Sequence, residues 1–148
     1  MIKAKTVRYH LYNFDKLKSE IIELEEQIKS LKLCEVDFHV ACIADSDGSQ
    51  HSCAGSSQVE KQAIKLADNV LHMKKRLFYK RCLLHAIKSV IHYLPEDGVD
   101  WKILKMRYFE HKKWTAIAEH INYAEYYLKR RDEFLVSEII SAFEVRKK

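Results

Sequence analysis

The stretch WTAIAEHINYAEYYLKRRDEFLVSEII, residues 114–140, decides how the rest of the chain is read. Trp114, Ile117, Ala118 and Ile121 recur at i, i+3, i+4 and i+7, which places them on one face of a short helix. That helix has to stop at Asn122, a poor helix former that tolerates turn geometry, and Tyr123 can plug the corner between two helices with its ring. A second helical pattern follows at once. Its inner stripe is Leu128, Leu135 and Ile139, whereas Glu125, Tyr126, Lys129, Arg130 and Glu133 point the other way. A basic triplet alone is usually a solvated helix face. Short helix, three-residue turn and Lys129-Arg130-Arg131 in register together have the arithmetic of a helix-turn-helix with a basic reading helix, and so point to double-stranded DNA.

The composition around that stretch agrees with a helical protein. Among 148 residues there are only 3 Gly and 1 Pro, and 32% are charged. Strand-like alternation is scarce, so the expected class is all-α. A formal charge of +5 suits a polyanionic partner without establishing one. MIKAKTVRYHLYNF at the start has no continuous apolar run for a signal peptide, and no segment approaches the roughly 18 apolar residues of a membrane span. The expectation is a cytoplasmic protein with no membrane partner, whose Cys34, Cys42, Cys53 and Cys82 are thiols and not a disulfide framework.

Immediately upstream of the organising stretch, Trp101, Leu104 and Tyr108 share a helix face, with Phe109 beside them and Asp100 as the expected N-cap. This helix should cover the back of the next two, with Trp101, Phe109 and Trp114 in the core. Pro95 ends whatever precedes it, and Glu96-Asp97-Gly98 completes a turn. Before that turn, Val59, Ala63, Leu66, Val70, Met73, Leu77, Leu84, Ile87, Ile91 and Leu94 keep a three-four rhythm, interrupted at Lys80 and Arg81. The rhythm predicts one helix of roughly 55 Å, at 1.5 Å per residue, begun by a Ser57-x-x-Glu60 capping box. Phe14, Leu17, Ile21, Leu24, Ile28 and Leu31 form a matching seam near the N-terminus, although the start of that helix is not fixed by Val7, Tyr9, Leu11 and Tyr12.

Between the seams, CEVDFHVACIADSDGSQHSCAGSSQ (34–58) dissolves into Asp, Ser and Gly and reads as a loop. Its Cys34, His39, Cys42, His51 and Cys53 are zinc-ligand types, but without a Cys-x2-Cys or His-x3-His pair the spacing argues against a metal. The expected organisation is an N-terminal long helical hairpin, coiled-coil-like, over residues 1–94 with a flexible loop at 34–57, followed by a helix-turn-helix domain over 99–148. The seams can close within one chain or between two, and Leu84, Ile87 and Ile91 need cover from the C-terminal module or a second subunit. A homodimer through the arm is the expected assembly, because two modules could then address paired half-sites.

MRYFEHKKWTAIAEHINYAEYYLKRRDEFL (106–135) resembles the C-terminal module of the RinA and ArpU families of phage late-gene transcriptional regulators, a module similar in turn to region 4 of bacterial sigma factors. LYNFDKLKSEIIELEEQIKSLK (11–32) resembles the N-terminal helix of RinA-like prophage proteins. Tyr108-Phe109, Trp114, Ile117-Ala118, Leu128 and Arg130 stand where that module has its hydrophobic frame and a basic residue of the reading helix. Ala124 stands where the module has a serine cap, and Asn122 is expected to take over that role. The resemblance implies a phage or prophage activator of late packaging and structural genes, acting in a bacterial host cell on a promoter and host RNA polymerase.

In that reading Lys112 and Lys113 meet phosphates, while Lys129 or Arg130 donates to guanine and Glu125 accepts from cytosine. Two other functions fit the same layout. One is a small terminase subunit, which would assemble as a ring, and the other is a coiled-coil interaction protein without DNA affinity. No paired carboxylates, nucleophile motif or glycine-rich phosphate loop supports an enzyme, and no cofactor is implied.

Overall fold

The computed structural model describes residues 2–44 and 56–147, with side chains over 2–32 and 61–146. Its described residues form helices and turns with no strand: α1 (Ala4–Tyr12), α2 (Phe14–Ala44), α3 (Ser56–Tyr93), α4 (Val99–Leu104) continued by a π turn (Lys105–Phe109), α5 (Trp114–Ile121) and α6 (Glu125–Lys147). Among the described residues no helix is long and apolar enough to cross a membrane.

The N-terminal residues form a helix of their own. Val7 and Leu11, four apart, are fully buried, and the helix stops at Asn13. The reason is local competition: the Asn13 side-chain amide donates to the Tyr9 carbonyl at 2.9 Å, the same oxygen its backbone N–H reaches at 3.1 Å. The Asn13 carbonyl then accepts from Leu17 and starts α2.

Along α2 the expected seam is buried at Leu17, Ile21, Leu24 and Ile28. The helix does not end at residue 33, however; it runs to Ala44, through eleven residues that the sequence reading assigns to a loop. Val36, Val40 and Ile43 carry helical spacing, and no glycine or proline occurs before Gly48, so nothing there compels a stop. The remainder of the expected loop, 45–55, lies outside the described residues, as do the side chains of Cys34, His39, Cys42, His51 and Cys53. Helix α3 includes Ser57, expected as its cap, and stops just before Leu94-Pro95.

The contacts group residues 1–19 with 80–148 in one compact unit and residues 20–79 in a second. In the second unit the most buried described side chains are Ile21, Leu24, Ile28 and Val70. In the first, α1 and α4 pack on α6, and α4 and the π turn also touch α5. Of the three residues at the end of α3 that need cover, Ile87 is fully buried within the chain and Leu84 and Ile91 are half-buried; Leu83 and Ala86 are fully buried beside them, and Arg146 near the end of α6 donates to Ser89 at 3.3 Å.

The N-cap of α4 is Gly98, not Asp100. A β-carbon there would sit 3.0 Å from both the ring and the carbonyl oxygen of Pro95, so the tight turn favours glycine. Trp101, Phe109 and Trp114 were expected in the core, but Trp101 and Trp114 are half-buried and Phe109 is 39% exposed.

Among the described residues one charged side chain is buried in this unit. Asp132 is 3% exposed, and its two oxygens are taken by the Tyr108 hydroxyl at 2.6 Å and by Arg8 Nε at 3.2 Å. A carboxylate removed from water is costly unless paired and hydrogen-bonded, and here one partner comes from α1 and the other from the π turn. Burial works against the Arg8 charge, but Asp132 and Tyr108 outweigh it and hold the guanidinium above its ordinary range. Burial, reinforced by the Asp132 charge, pushes the Tyr108 hydroxyl well above the usual tyrosine range.

Two stability predictions follow from these contacts. A tyrosine whose folded pKa is raised contributes stability that is present below its unfolded value, 10.0, and is lost as pH rises beyond it. Tyr108→Phe should therefore lower unfolding free energy by about 1–3 kcal/mol at neutral pH and make the melting temperature fall less steeply above pH ~10. Equal alkaline slopes for variant and parent would contradict the pairing. Leu24→Asp, which puts a charge at a 6%-exposed seam position, should cost about 3 kcal/mol or more in a denaturant titration; an unchanged midpoint would show that the seam is not a core.

Candidate nucleic-acid interface

Helix α5 is short because both of its ends are fixed by backbone geometry. Lys113 is extended and its carbonyl accepts from Ile117 at 3.1 Å, opening the first turn. Ile117 is fully buried, while Trp114, Ala118 and Ile121 are half-buried on the same side. At the far end Asn122 adopts the left-handed conformation, φ 61° and ψ 43°, with its N–H on the Ala118 carbonyl. Asparagine is one of the few residues other than glycine that enters this region readily. Three residues, Asn122 to Ala124, reverse the chain into α6, and the Ala124 carbonyl accepts from Leu128.

Two expected roles differ here. Asn122 closes α5 and does not cap α6. Tyr123 does not plug the corner: its ring is 47% exposed and lies on Tyr127, with centroids 5.3 Å apart and planes at 21°.

Helix α6 buries Leu128, Leu135 and Ile139 as its spacing predicts, and adds Val136 and Phe143. The five outward residues divide into groups. Tyr126, 76% exposed, and Arg130 are four apart on an open face. Glu125 and Lys129, also four apart, form an ion pair at 2.5 Å. Lys129 and Glu133 rim a recess of about 310 Å³ whose other walls include Arg8, Tyr12, Arg107 and Trp114. Arg131, third in the basic triplet, is held by Asp100: Nε donates at 2.8 Å, and a second nitrogen reaches the other carboxylate oxygen. That hydrogen bonding, against a smaller effect of burial, raises the Arg131 pKa. Of three consecutive cations, Arg130 faces outward, Lys129 is paired along the helix, and Arg131 ties α6 to α4.

Lys112 and Lys113 lie exposed in the segment before α5. This segment is braced from below. The Lys112 N–H donates to the Met106 carbonyl at 2.8 Å, its own carbonyl accepts from Arg107 at 2.9 Å, and His111 takes a positive φ of 55°. The Arg107 guanidinium lies over Trp114 at 4.9 Å and over Tyr12 at 5.3 Å, joining α1, the π turn and α5. Lys112 also pairs with Glu110 at 2.7 Å, and that hydrogen bond holds the Glu110 carboxyl below its usual range. Lys113 is the less constrained cation of the two.

The sequence reading did not single out the aromatic side of α6. Tyr127 is 42% and Phe134 51% exposed, and with Tyr123 they make a stripe beside Tyr126 and Arg130. Their i, i+4 and i+11 spacing is visible in the chain, but it could not be told from a buried stripe until the inner face was known. A surface of aromatic rings and guanidinium groups can make apolar contacts to thymine methyls and sugars as well as charged contacts. Among the described residues no three His, Cys, Asp or Glu side chains come together as a metal site. Comparisons with protein families, with curated proteins and with solved structures find no match to this chain.

Proposed function

We propose that this chain is a sequence-specific DNA-binding regulator, in which α5, the Asn122–Ala124 turn and α6 act as a helix-turn-helix and the N-terminal half of α6 enters the major groove. The observation that carries the reading is the pairing of a buried inner stripe with an open face bearing Tyr126 and Arg130, directly after a three-residue turn opened by the left-handed Asn122. Arg130 has the donor geometry for guanine O6 and N7, and Tyr126 can meet a thymine methyl. Lys112 and Lys113, one loop away, suit phosphates, where contacts position the protein without reading sequence. In this reading α2 and α3 pair as an antiparallel hairpin that carries the module. The resemblance to RinA- and ArpU-like proteins supports a phage or prophage activator of late genes in a bacterial cytoplasm, working with host RNA polymerase.

The ion pair between Glu125 and Lys129 ranks the readers. Each neutralises the other and would have to be drawn apart to contact a base, whereas Arg130 is available as it stands. Arg130→Ala should weaken binding to the best site selected from random DNA by about 1–3 kcal/mol and relax preference at one or two positions, with Lys129→Ala costing less. Unchanged affinity of Arg130→Ala for that site, at unchanged helicity, removes α6 from the reading role.

Changing both Lys112 and Lys113 to alanine should flatten the dependence of log affinity on log salt by roughly one to two units and keep the preferred sequence. A shifted preference with the parent's salt slope would assign these lysines to bases instead.

A further inference from the structure

Helix α3 carries an apolar line that the packed seam does not use. Ile64, Leu71 and Phe78 are spaced by seven residues and are 56%, 50% and 57% exposed. Seven residues are close to two helical turns, so the three side chains lie along one edge of the helix. The buried seam, with Val70 at 4% exposure and Leu66, Met73 and Leu77 half-buried, lies about 100° or more around the helix from them. Helix α3 therefore carries a second apolar line separate from its seam, and apolar lines on two sides suit a helix that meets two neighbours. Isolated exposed apolar residues are ordinary; three large ones in strict register along about 21 Å of helix, at 1.5 Å per residue, are not.

The charges around that line say what fits it. Lys61, Lys65, Lys74 and Lys75 flank it in the sequence, against Glu60 and Asp68, so its border is basic on balance. Among the described side chains of α2 in the second unit, one large apolar residue is exposed, Ile22 at 57%, and the charges near it in the sequence are Glu23, Glu25 and Glu26 against Lys18, acidic on balance. The chain thus carries, on two helices of one unit, a basic-bordered apolar line and an acidic-bordered apolar position.

We propose that Ile64, Leu71 and Phe78 form the docking surface for a second copy of this chain, with α3 of each copy laid against α2 of the other around Ile22. The arrangement is isologous, so one two-fold axis satisfies both surfaces at once and closes the assembly as a four-helix bundle. Opposite charges at the borders set the register and disfavour α3 against α3. The inference does not depend on DNA binding by α6.

The test is the mass of the whole chain in solution. The parent should run at twice the 17.5 kDa of one chain and dissociate on dilution. Leu71→Glu with Phe78→Glu should run as a monomer at every concentration, with the helical circular dichroism of the parent, because both positions are already half exposed. A charge-reversed pair guards against simple misfolding: Glu23→Lys with Glu26→Lys should raise the dissociation constant about tenfold or more, and adding Lys74→Glu with Lys75→Glu should bring it back within a few-fold. A parent that stays monomeric at all concentrations overturns the proposal, as does a Leu71→Glu, Phe78→Glu protein that keeps the double mass. Charge reversal without effect on the dissociation constant overturns the assignment of α2 as the other half.

Discussion

The first compact unit depends on the carboxylate of Asp132. It is the point at which α1, the π turn and α6 share one polar contact, and such a contact fixes register where apolar side chains fix mainly distance. A buried carboxylate is a poor source of net stability and a good source of specificity: any arrangement that leaves it without Arg8 or Tyr108 loses several kcal/mol. The π turn belongs to this arrangement. A wider turn over Lys105–Phe109 alters the direction of the side chains that follow, and it is here that Tyr108 is buried toward Asp132 while Phe109 is left at the surface beside Phe14. Arg107, one residue before, turns to the opposite task of bracing the loop under Lys112.

This has a bearing on the outward face of α6. Asp132 lies between Arg130 and Glu133 in sequence, so the same turn of helix that is anchored from inside presents cations outside. Arg131 adds a second anchor through Asp100, one residue after the outward Arg130. A side chain that has to meet base edges to within fractions of an ångström gains from a helix that cannot rotate, and two charged tethers on successive residues, from two different elements, supply that.

What was legible in the sequence was whatever is recorded locally. The buried stripes of α5 and α6, the seam from Leu17 to Ile28, the length of α3 and its end at Pro95 all follow from apolar period and from punctuation by Asn and Pro, which act within a few residues of themselves. What was not legible depends on distant partners. Arg8 looks like one of many surface cations until Asp132, 124 positions away, is beside it. Arg131 cannot be separated from Arg130 without knowing that Asp100 lies opposite. The residues from Cys34 to Ala44 read as a loop because their short apolar stretch runs into Asp, Ser and Gly, although no helix breaker precedes Gly48. Tyr123 reads as a corner plug, yet the left-handed Asn122 carries its ring out to Tyr127.

The packing of α1 on α6 sets an order of events during synthesis. Val7 and Leu11 are made well before α6, which supplies part of the surface packed on α1, and Ile2 and Glu144, joined by a hydrogen bond, are 142 positions apart. At a translation rate of about 5–20 residues per second, the apolar side of α1 waits on the order of ten seconds for its partner. The helices of the second unit, residues 20–79, can form locally in that interval. Folding of the first unit is therefore a late, long-range closure, and until it happens the apolar side of α1 is open to chaperones and to neighbouring copies on the same message.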